Sequence, residues 1–396
     1  MTCDQQLLTH ENLAALAVRH GFDDVKVTGA APHREAARLF REWVDQGRHA
    51  DMAWLLKDSE RRGAPLQHIR DACSVITLAV NYYREAAEPV PAGHGRVARY
   101  AAGVDYHKAI DRQLKAMIRE LVTYDPNRLY RYYVDYGPVL ERGFAERAGL
   151  GFVGKSACLI HPRLGTYVFL ATLITNAPFA PTLPAPGTCG QCRRCIDVCP
   201  TGALVGPGQV DARLCISYLT IENKGPIPRH LRPLIGNWIF GCDLCQEVCP
   251  YNAKAERGKH PRIVGMTVAG TELDVAEVLG LRTQEAFAVR FMRSPFHRAK
   301  REGLLRNAAV VAGNLGRREL VPVLCEALED SSALVRGHVV WALGRLGAGE
   351  VARGVLVEEG DAFVLGELEA VGCGGWRGSV QVSGFRDWPR KGAEGA

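Results

Sequence analysis

Residues 189–200 read C-G-Q-C-R-R-C-I-D-V-C-P and residues 242–250 read C-D-L-C-Q-E-V-C-P. The first run supplies Cys189, Cys192, Cys195 and Cys199 ahead of Pro200. The second supplies Cys242, Cys245 and Cys249 ahead of Pro250, and Cys215 stands alone between them. Eight of the chain's thirteen cysteines therefore lie between Cys189 and Cys249. Three thiols at i, i+3 and i+6 can wrap one face of a cubane, but a fourth beyond the turn cannot easily close the same cube. This is the spacing of [4Fe-4S] ligation, and eight thiolates suffice for two clusters. One-electron chemistry is the first expectation.

In two-cluster ferredoxins the cysteine before proline ligates the other cluster. By that rule Cys189, Cys192 and Cys195 take Cys249, while Cys199 joins Cys215, Cys242 and Cys245. The competing readings are zinc and disulfides. Zinc sites usually pair C-x2-C with C-x2-C, without a third cysteine at i+6 or a following proline. Disulfides require an oxidising compartment, and Met1 to Leu16 carries acids and polar groups where a signal peptide needs an apolar core. A cytoplasmic location is expected. Cys73, Cys158 and Cys325 sit in apolar company and are expected to be small core hydrophobes.

The chain has 396 residues, 47% hydrophobic and 23% charged, an ordinary globular composition long enough for two or three domains. No apolar run reaches the eighteen residues a membrane span needs. A net charge of +6 permits an acidic partner without requiring one. The cations are concentrated in one place: Ala286 to Arg306 carries Arg290, Arg293, His297, Arg298, Lys300, Arg301 and Arg306 against Glu302. Such a run is either a solvated face or a phosphate-binding surface.

Strand-like runs (Ser74 to Asn81, Tyr132 to Asp135, Tyr167 to Thr175) alternate with helical ones (Tyr106 to Val122, Leu140 to Ala148), which reads as an α/β domain over residues 1–176. Proline-rich Ala177 to Gly187 reads as a linker into the cluster domain, 177–255. In the helical region 256–371, Arg306 to Gly316 matches Arg336 to Gly347 with an amphipathic stretch, Glu319 to Leu328, between them. That is a HEAT-like unit, and two such units are expected to pack on the main body. Glycine-rich 372–396 has no periodicity and is expected to be disordered.

Two features of the first domain suggest chemistry. Asp135, in Y-V-D-Y-G-P (Tyr133 to Pro138), ends a strand, where a desolvated carboxyl could donate a proton. It could equally be a turn aspartate accepting backbone N–H groups. Gly149, Gly151 and Gly154 fit the letters of nucleotide-binding loops, but a helix precedes them and a strand follows. That context is reversed, so the match is read as chance. No D-x-H-x-x-G stretch offers a histidine to a corrinoid cobalt.

Taken together, Y-V-D-Y-G-P, E-R-G-F-A-E-R-A-G-L-G-F-V-G-K (Glu141 to Lys155), the two cysteine runs, C-I-S-Y-L-T-I-E (Cys215 to Glu222) and G-C-D-L-C-Q-E-V-C-P-Y-N (Gly241 to Asn252) resemble the epoxyqueuosine reductases of tRNA modification, over roughly residues 10 to 350. The resemblance implies a cobalamin-binding α/β domain, a bacterial-ferredoxin-like domain with two [4Fe-4S] clusters, and HEAT-like repeats. The implied activity is reduction of epoxyqueuosine to queuosine at the wobble position of tRNA. Asp135 would protonate the departing oxygen. Arg62, Leu140, Glu141, Arg142, Lys155, Ser156, Leu159, Leu170, Ile221, Cys242 and Asp243 would join Asp135 in contacting cob(II)alamin. Asn223, Lys224, Arg229, Arg232, Arg298, Arg306 and Asn307 would contact tRNA, and the chain would be a monomer. Electrons would come from an external low-potential donor of flavodoxin or ferredoxin type. Reductive dehalogenases are similar in cobalamin domain and paired clusters, but the first 21 residues hold only Arg19 where a twin-arginine signal is expected. A pure electron carrier would leave the first half of the chain without a role.

Overall fold

The structure, a computed structural model, describes residues 9–86, 89–265 and 267–372. Its first sheet runs Asp24–Gly29, Ser74–Asn81, Val168–Thr175, Tyr130–Tyr133, with every neighbouring pair antiparallel. Strands and helices mix as expected. The α/β expectation is nonetheless corrected in its topology, because no two neighbouring strands of this sheet run parallel. All eight residues of Ser74–Asn81 are buried, as suits a continuous apolar run covered on both faces. One face is covered by helices His10–Arg19 and Tyr106–Tyr124, through Leu13, Leu16, Ile110, Leu114, Met117 and Leu121. Helix Glu141–Ala148 covers the other, with Phe144 against Val75 and Ile174. Asp105 caps the Tyr106–Tyr124 helix by accepting the His107 N–H at 3.1 Å.

The proline-rich stretch is not a loose linker. Thr182 N donates to Val27 O at 2.9 Å, and Val27 N donates to Thr182 Oγ1 at 3.0 Å. The segment straps the edge strand Asp24–Gly29, covering groups that would otherwise pair with another chain.

Each cysteine run carries one short helix, Arg194–Asp197 and Leu244–Glu247. A second sheet ties distant parts of the chain together. His94–Val97 lies between Trp238–Phe240, parallel to it, and Glu272–Asp274, antiparallel to it. The repeat regions form helices Lys300–Leu315 and Ala333–Arg345, with Val321–Ala327 between them. They share one apolar core with Ile216, Leu219, Ile235, Trp238 and Phe240, so the repeats do pack on the body. Gly372 ends a helix from Ala362. The rest of the expected disordered tail lies outside the described residues. Among those residues no helix is long and apolar enough to cross a membrane.

Candidate active site

The cysteines fall into two neighbourhoods. Cys249 has Cys189 and Cys195 as thiol neighbours, and Cys195 has Cys189 and Cys192. Cys242 neighbours Cys215 and Cys199, and Cys245 neighbours Cys242 and Cys215. The thiols do not converge on one point: among the described residues no three His, Cys, Asp or Glu side chains close to a single-ion site. Lys155 braces the first group, its N–H donating to Cys189 Sγ at 3.4 Å and its Nζ to the carbonyls of Gly190 at 2.7 Å and Cys192 at 3.0 Å. Cys158 is more than core filling, since its thiol lies within electrostatic reach of Cys245 and also neighbours Cys249. Cys73 is exposed and does not fill the core as expected, whereas Cys325 is half-buried and packs against the core that the repeats share.

Asp135 lies two residues past the end of strand Tyr130–Tyr133, at φ 57° in the left-handed region that few side-chain-bearing residues adopt. Its side chain is 68% exposed. Its carboxylate accepts the Tyr106 hydroxyl, with His107 Nε2 at 3.8 Å. These partners are not the backbone N–H groups of a turn aspartate, nor is the group desolvated as the proton-donor argument requires. The desolvated carboxyl is that of Glu141, whose Oε2 accepts the Asp135 N–H at 2.8 Å. Although the residue as a whole is half-exposed, Oε1 is buried without a hydrogen-bond partner. Burial first, and the Asp135 charge second, push this carboxyl up to about 8.

Tyr106, whose hydroxyl donates to Asp135, stacks on Phe169, so the carboxylate is held near the start of strand Val168–Thr175. Val168 and Leu170 are the half-buried positions of an otherwise buried strand, and Val153 is half-buried beside them. An apolar strip of sheet is therefore left uncovered next to the carboxylate. Leu159 packs in the same cluster and follows Cys158, so the strip reaches the second cysteine group. The buried Tyr100 hydroxyl lies within electrostatic reach of Asp135, Glu222, Asp243 and Arg298. An apolar face rimmed by these polar groups fits a large flat cofactor of mixed polarity.

Several of the expected cofactor contacts use their side chains inwardly. Arg62 is buried and donates to Leu55 O at 3.1 Å and Gly137 O at 3.2 Å, clamping the Asp135 loop. Asp243 Oδ2 accepts Arg99 N at 2.8 Å and Arg99 Nη1 at 3.0 Å. Arg142 donates to Ala157 O. Ser156, Leu159 and Ile221 are buried, and Leu140 N donates to Arg62 O at 2.9 Å. The glycines of the loop serve packing: a Cβ at Gly149 would fall 1.9 Å from Leu183 O, and at Gly151 2.4 Å from Ile160 O. This agrees with discounting the nucleotide motifs.

The expected tRNA contacts are corrected most. Arg306 is fully buried, donating to Asn223 O at 2.9 Å, Gly225 O at 2.7 Å and Leu219 O at 2.7 Å. Asn307 is 1% exposed and donates to Thr220 O at 2.7 Å and Ile239 O at 3.0 Å. Together they satisfy carbonyls around the wide π-helical turn Tyr218–Glu222, whose hydrogen-bond ladder is irregular. Arg232, 1% exposed, forks onto Glu367 at 2.8 and 3.0 Å. Asn223 is buried, and Arg229 also pairs with Glu367 at 3.0 Å. Lys224 Nζ donates to Ile221 O at 2.8 Å and to Arg298 O. Phosphate cannot reach the buried groups. Arg298 remains outward, as do Lys224 and Arg229; it lies over Trp54 at 5.5 Å and pairs with Glu222 at 2.7 Å. The basic run divides likewise: Arg293, His297, Arg298 and Lys300 are exposed, while Arg301 is buried against Asp330. Sequence reasoning missed Tyr106 and His107, because their separation from Asp135 is closed only by packing the helix on the sheet.

Residues 62–136 match the family described as epoxyqueuosine reductase QueG (DUF1730), residues 188–252 match the 4Fe-4S double cluster binding domain, and residues 297–360 match HEAT repeats. The epoxyqueuosine reductase of Xanthomonas campestris pv. campestris is 38% identical over 343 residues, 85% of this chain and 95% of that one. That of Pseudomonas aeruginosa is 41% identical over 339 residues, 83% of this chain and 91% of that one. The chain belongs to the epoxyqueuosine reductase family. Its members are oxidoreductases, and this chain is an enzyme of that kind with a 4Fe-4S binding domain. Among solved structures it is similar to an epoxyqueuosine reductase with an epoxyqueuosine-modified tRNA-Tyr stem loop, at TM-score 0.84 and 29% identity, covering 91% of this chain and 97% of that one. It is also similar to the Bacillus subtilis enzyme with its catalytic aspartate loop swung out of the active site, at TM-score 0.82 and 29% identity, covering 91% and 97%.

Proposed function

We propose that this chain reduces epoxyqueuosine to queuosine at the wobble position of tRNA, the final step of queuosine biosynthesis. It would act as a cytoplasmic monomer fed by a flavodoxin- or ferredoxin-type donor. The observation carrying this reading is Asp135, held out on a left-handed loop beside an uncovered apolar strip whose far edge reaches towards Cys245. The reaction takes two electrons and two protons, turning the epoxide into an alkene and water, so the site needs an acid and an electron supply side by side.

Two [4Fe-4S] clusters would be held by Cys189, Cys192, Cys195 and Cys249, and by Cys199, Cys215, Cys242 and Cys245. The observed thiol neighbourhoods support that division. Cobalamin, when bound, supplies an electron-rich metal centre able to act on the epoxide carbon. Leu140, Ser156, Leu159, Leu170 and Ile221 would line it. Arg62, Glu141, Arg142, Lys155, Cys242 and Asp243 would hold those surfaces from behind. Asp135 would protonate the leaving oxygen from its carboxyl. Since the group is exposed here, bound substrate and cofactor would cover it and exclude water from the proton transfer. With Cys245 held as thiolate on iron, the Cys158 thiol is placed to donate to it.

The test is to reconstitute clusters and cobalamin, add a chemical reductant, and analyse nucleosides of epoxyqueuosine-containing tRNA. Queuosine should accumulate with the native chain and not with Asp135→Ala. Turnover of a halogenated compound with no queuosine would overturn the assignment.

A further inference from the structure

The burial of Arg232, Arg306 and Asn307 leaves open which surface carries an RNA backbone. The exposed face of helix Tyr106–Tyr124 presents Lys108, Arg112, Lys115 and Arg119, spaced 4, 3 and 4 residues apart and hence in one stripe. All four are exposed, and they line a surface cleft of about 340 Å³ together with Asp111. Among the described residues only Lys115 of the four is in an ion pair, to Asp111 at 2.8 Å.

A stripe of cations is usually just a solvated helix face. What lifts this one is where it begins. The residues preceding Lys108 are Tyr106, whose hydroxyl donates to Asp135, and His107, 3.8 Å from the same carboxylate. On the other side of the helix start, Asp105 N donates to Arg293 O at 2.7 Å, and the exposed cations Arg293, Arg298 and Lys300 follow. Arg298 is raised by Glu222 first, and Asp135 contributes to it as well. Asp135 thus has basic surface on two sides, one strung along a helix.

We propose that Lys108, Arg112, Lys115 and Arg119 form a phosphate-tracking surface that holds the substrate RNA strand on one side of Asp135, opposite Arg293, Arg298 and Lys300. The surface rests on the tRNA reading of the site. From Lys108 to Arg119 the helix rises about 16 Å, enough to parallel about five nucleotides of one strand. Point-charge lysines and forked arginines without base-reading partners suit sequence-independent backbone contact. An acidic electron-carrier protein is the other polyanion such a stripe could meet. The stripe abuts the Asp135 loop rather than either cysteine group, which favours RNA.

The test is the triple variant Lys108→Gln, Arg112→Gln, Arg119→Gln in the reconstituted holoenzyme, with tRNA affinity measured across a salt series. A control triple, Arg34→Gln, Arg38→Gln, Arg41→Gln, removes the same charge from the exposed positions of another helix. The stripe variant should weaken tRNA binding about tenfold near physiological salt. It should also make the slope of log K against log salt shallower by about 2, at about 0.7 per single-strand phosphate contact. Turnover at saturating tRNA should hold. Unchanged affinity and slope would overturn the proposal, as would equal weakening in both triples, a net-charge effect only. So would intact tRNA binding with slowed reduction by a flavodoxin-type protein but not by dithionite. Failure of the native enzyme to make queuosine would instead strike the parent reading, because binding is scored separately from product.

Discussion

At Asp135 a charged side chain is held in solvent by a left-handed backbone, its amide anchored on a buried carboxyl. At Arg306 a charged side chain is held inside, its donors spent on the carbonyls of Leu219, Asn223 and Gly225 and on Asn307 Oδ1, with no acid among its hydrogen-bond partners. Burial pushes that guanidinium down to about 9. The first arrangement accepts local strain to present a group. The second accepts desolvation to fix the turn that carries Ile221 and Glu222. Chemistry and stability should therefore separate between the two regions.

The largest effect expected is that of Asp135→Asn. Losing a positioned acid should lower single-turnover reduction by about 10²- to 10⁴-fold while thermal unfolding stays near native. Comparable losses of stability and activity would break the contrast. Arg306→Met should do the reverse, leaving buried carbonyls unpaired at a cost of about 3 kcal/mol, read as a lower midpoint in thermal or urea unfolding. A well-folded Arg306→Met enzyme that had lost only tRNA affinity would return Arg306 to the substrate surface.

Glu141 links presentation to burial and gives a pH signature. Its carboxyl is raised from about 4.5 to about 8 in the folded chain, so the folded state holds this proton more tightly than the unfolded one. Stability from this group is greatest below the unfolded value and declines as pH rises from about 4.5 to about 8. Glu141→Gln keeps an acceptor for the Asp135 N–H and should flatten that decline in unfolding midpoints measured from pH 5 to 8. A slope unchanged by the substitution would mean that the buried carboxyl does not titrate there. The smallest effect belongs to Arg298→Gln. This exposed, partly paired cation should cost tRNA affinity a few-fold and reduce the salt slope by about 0.7, with stability unchanged.

Much of the architecture was legible because its signals are local. Ser74–Asn81 is a strand as the run of apolar residues implies, and the repeats form the expected paired helices. The eight cysteines declare their chemistry through spacing, since ligands on one loop must lie within reach of one cube. The errors share one cause. Arg232, Arg306 and Asn307 are polar letters in a basic region, and nothing within a few residues of them announces that the first repeat docks on the Tyr218–Glu222 turn. Asp135 and Glu141 are six residues apart, and which carboxyl is desolvated depends on the sheet and helices around them. Tyr106 reaches Asp135 only because its helix lies across the sheet.

The cysteine ligand sets on offer, the repeat and the family could all be read from the linear chain, because they depend on covalent spacing and residue type. Tertiary structure decided which charges face solvent and which carboxyl carries the raised proton affinity. It also set the apolar strip beside Asp135 within reach of Cys245. Those are properties of burial and electrostatic neighbourhood, and they exist only once distant segments have packed.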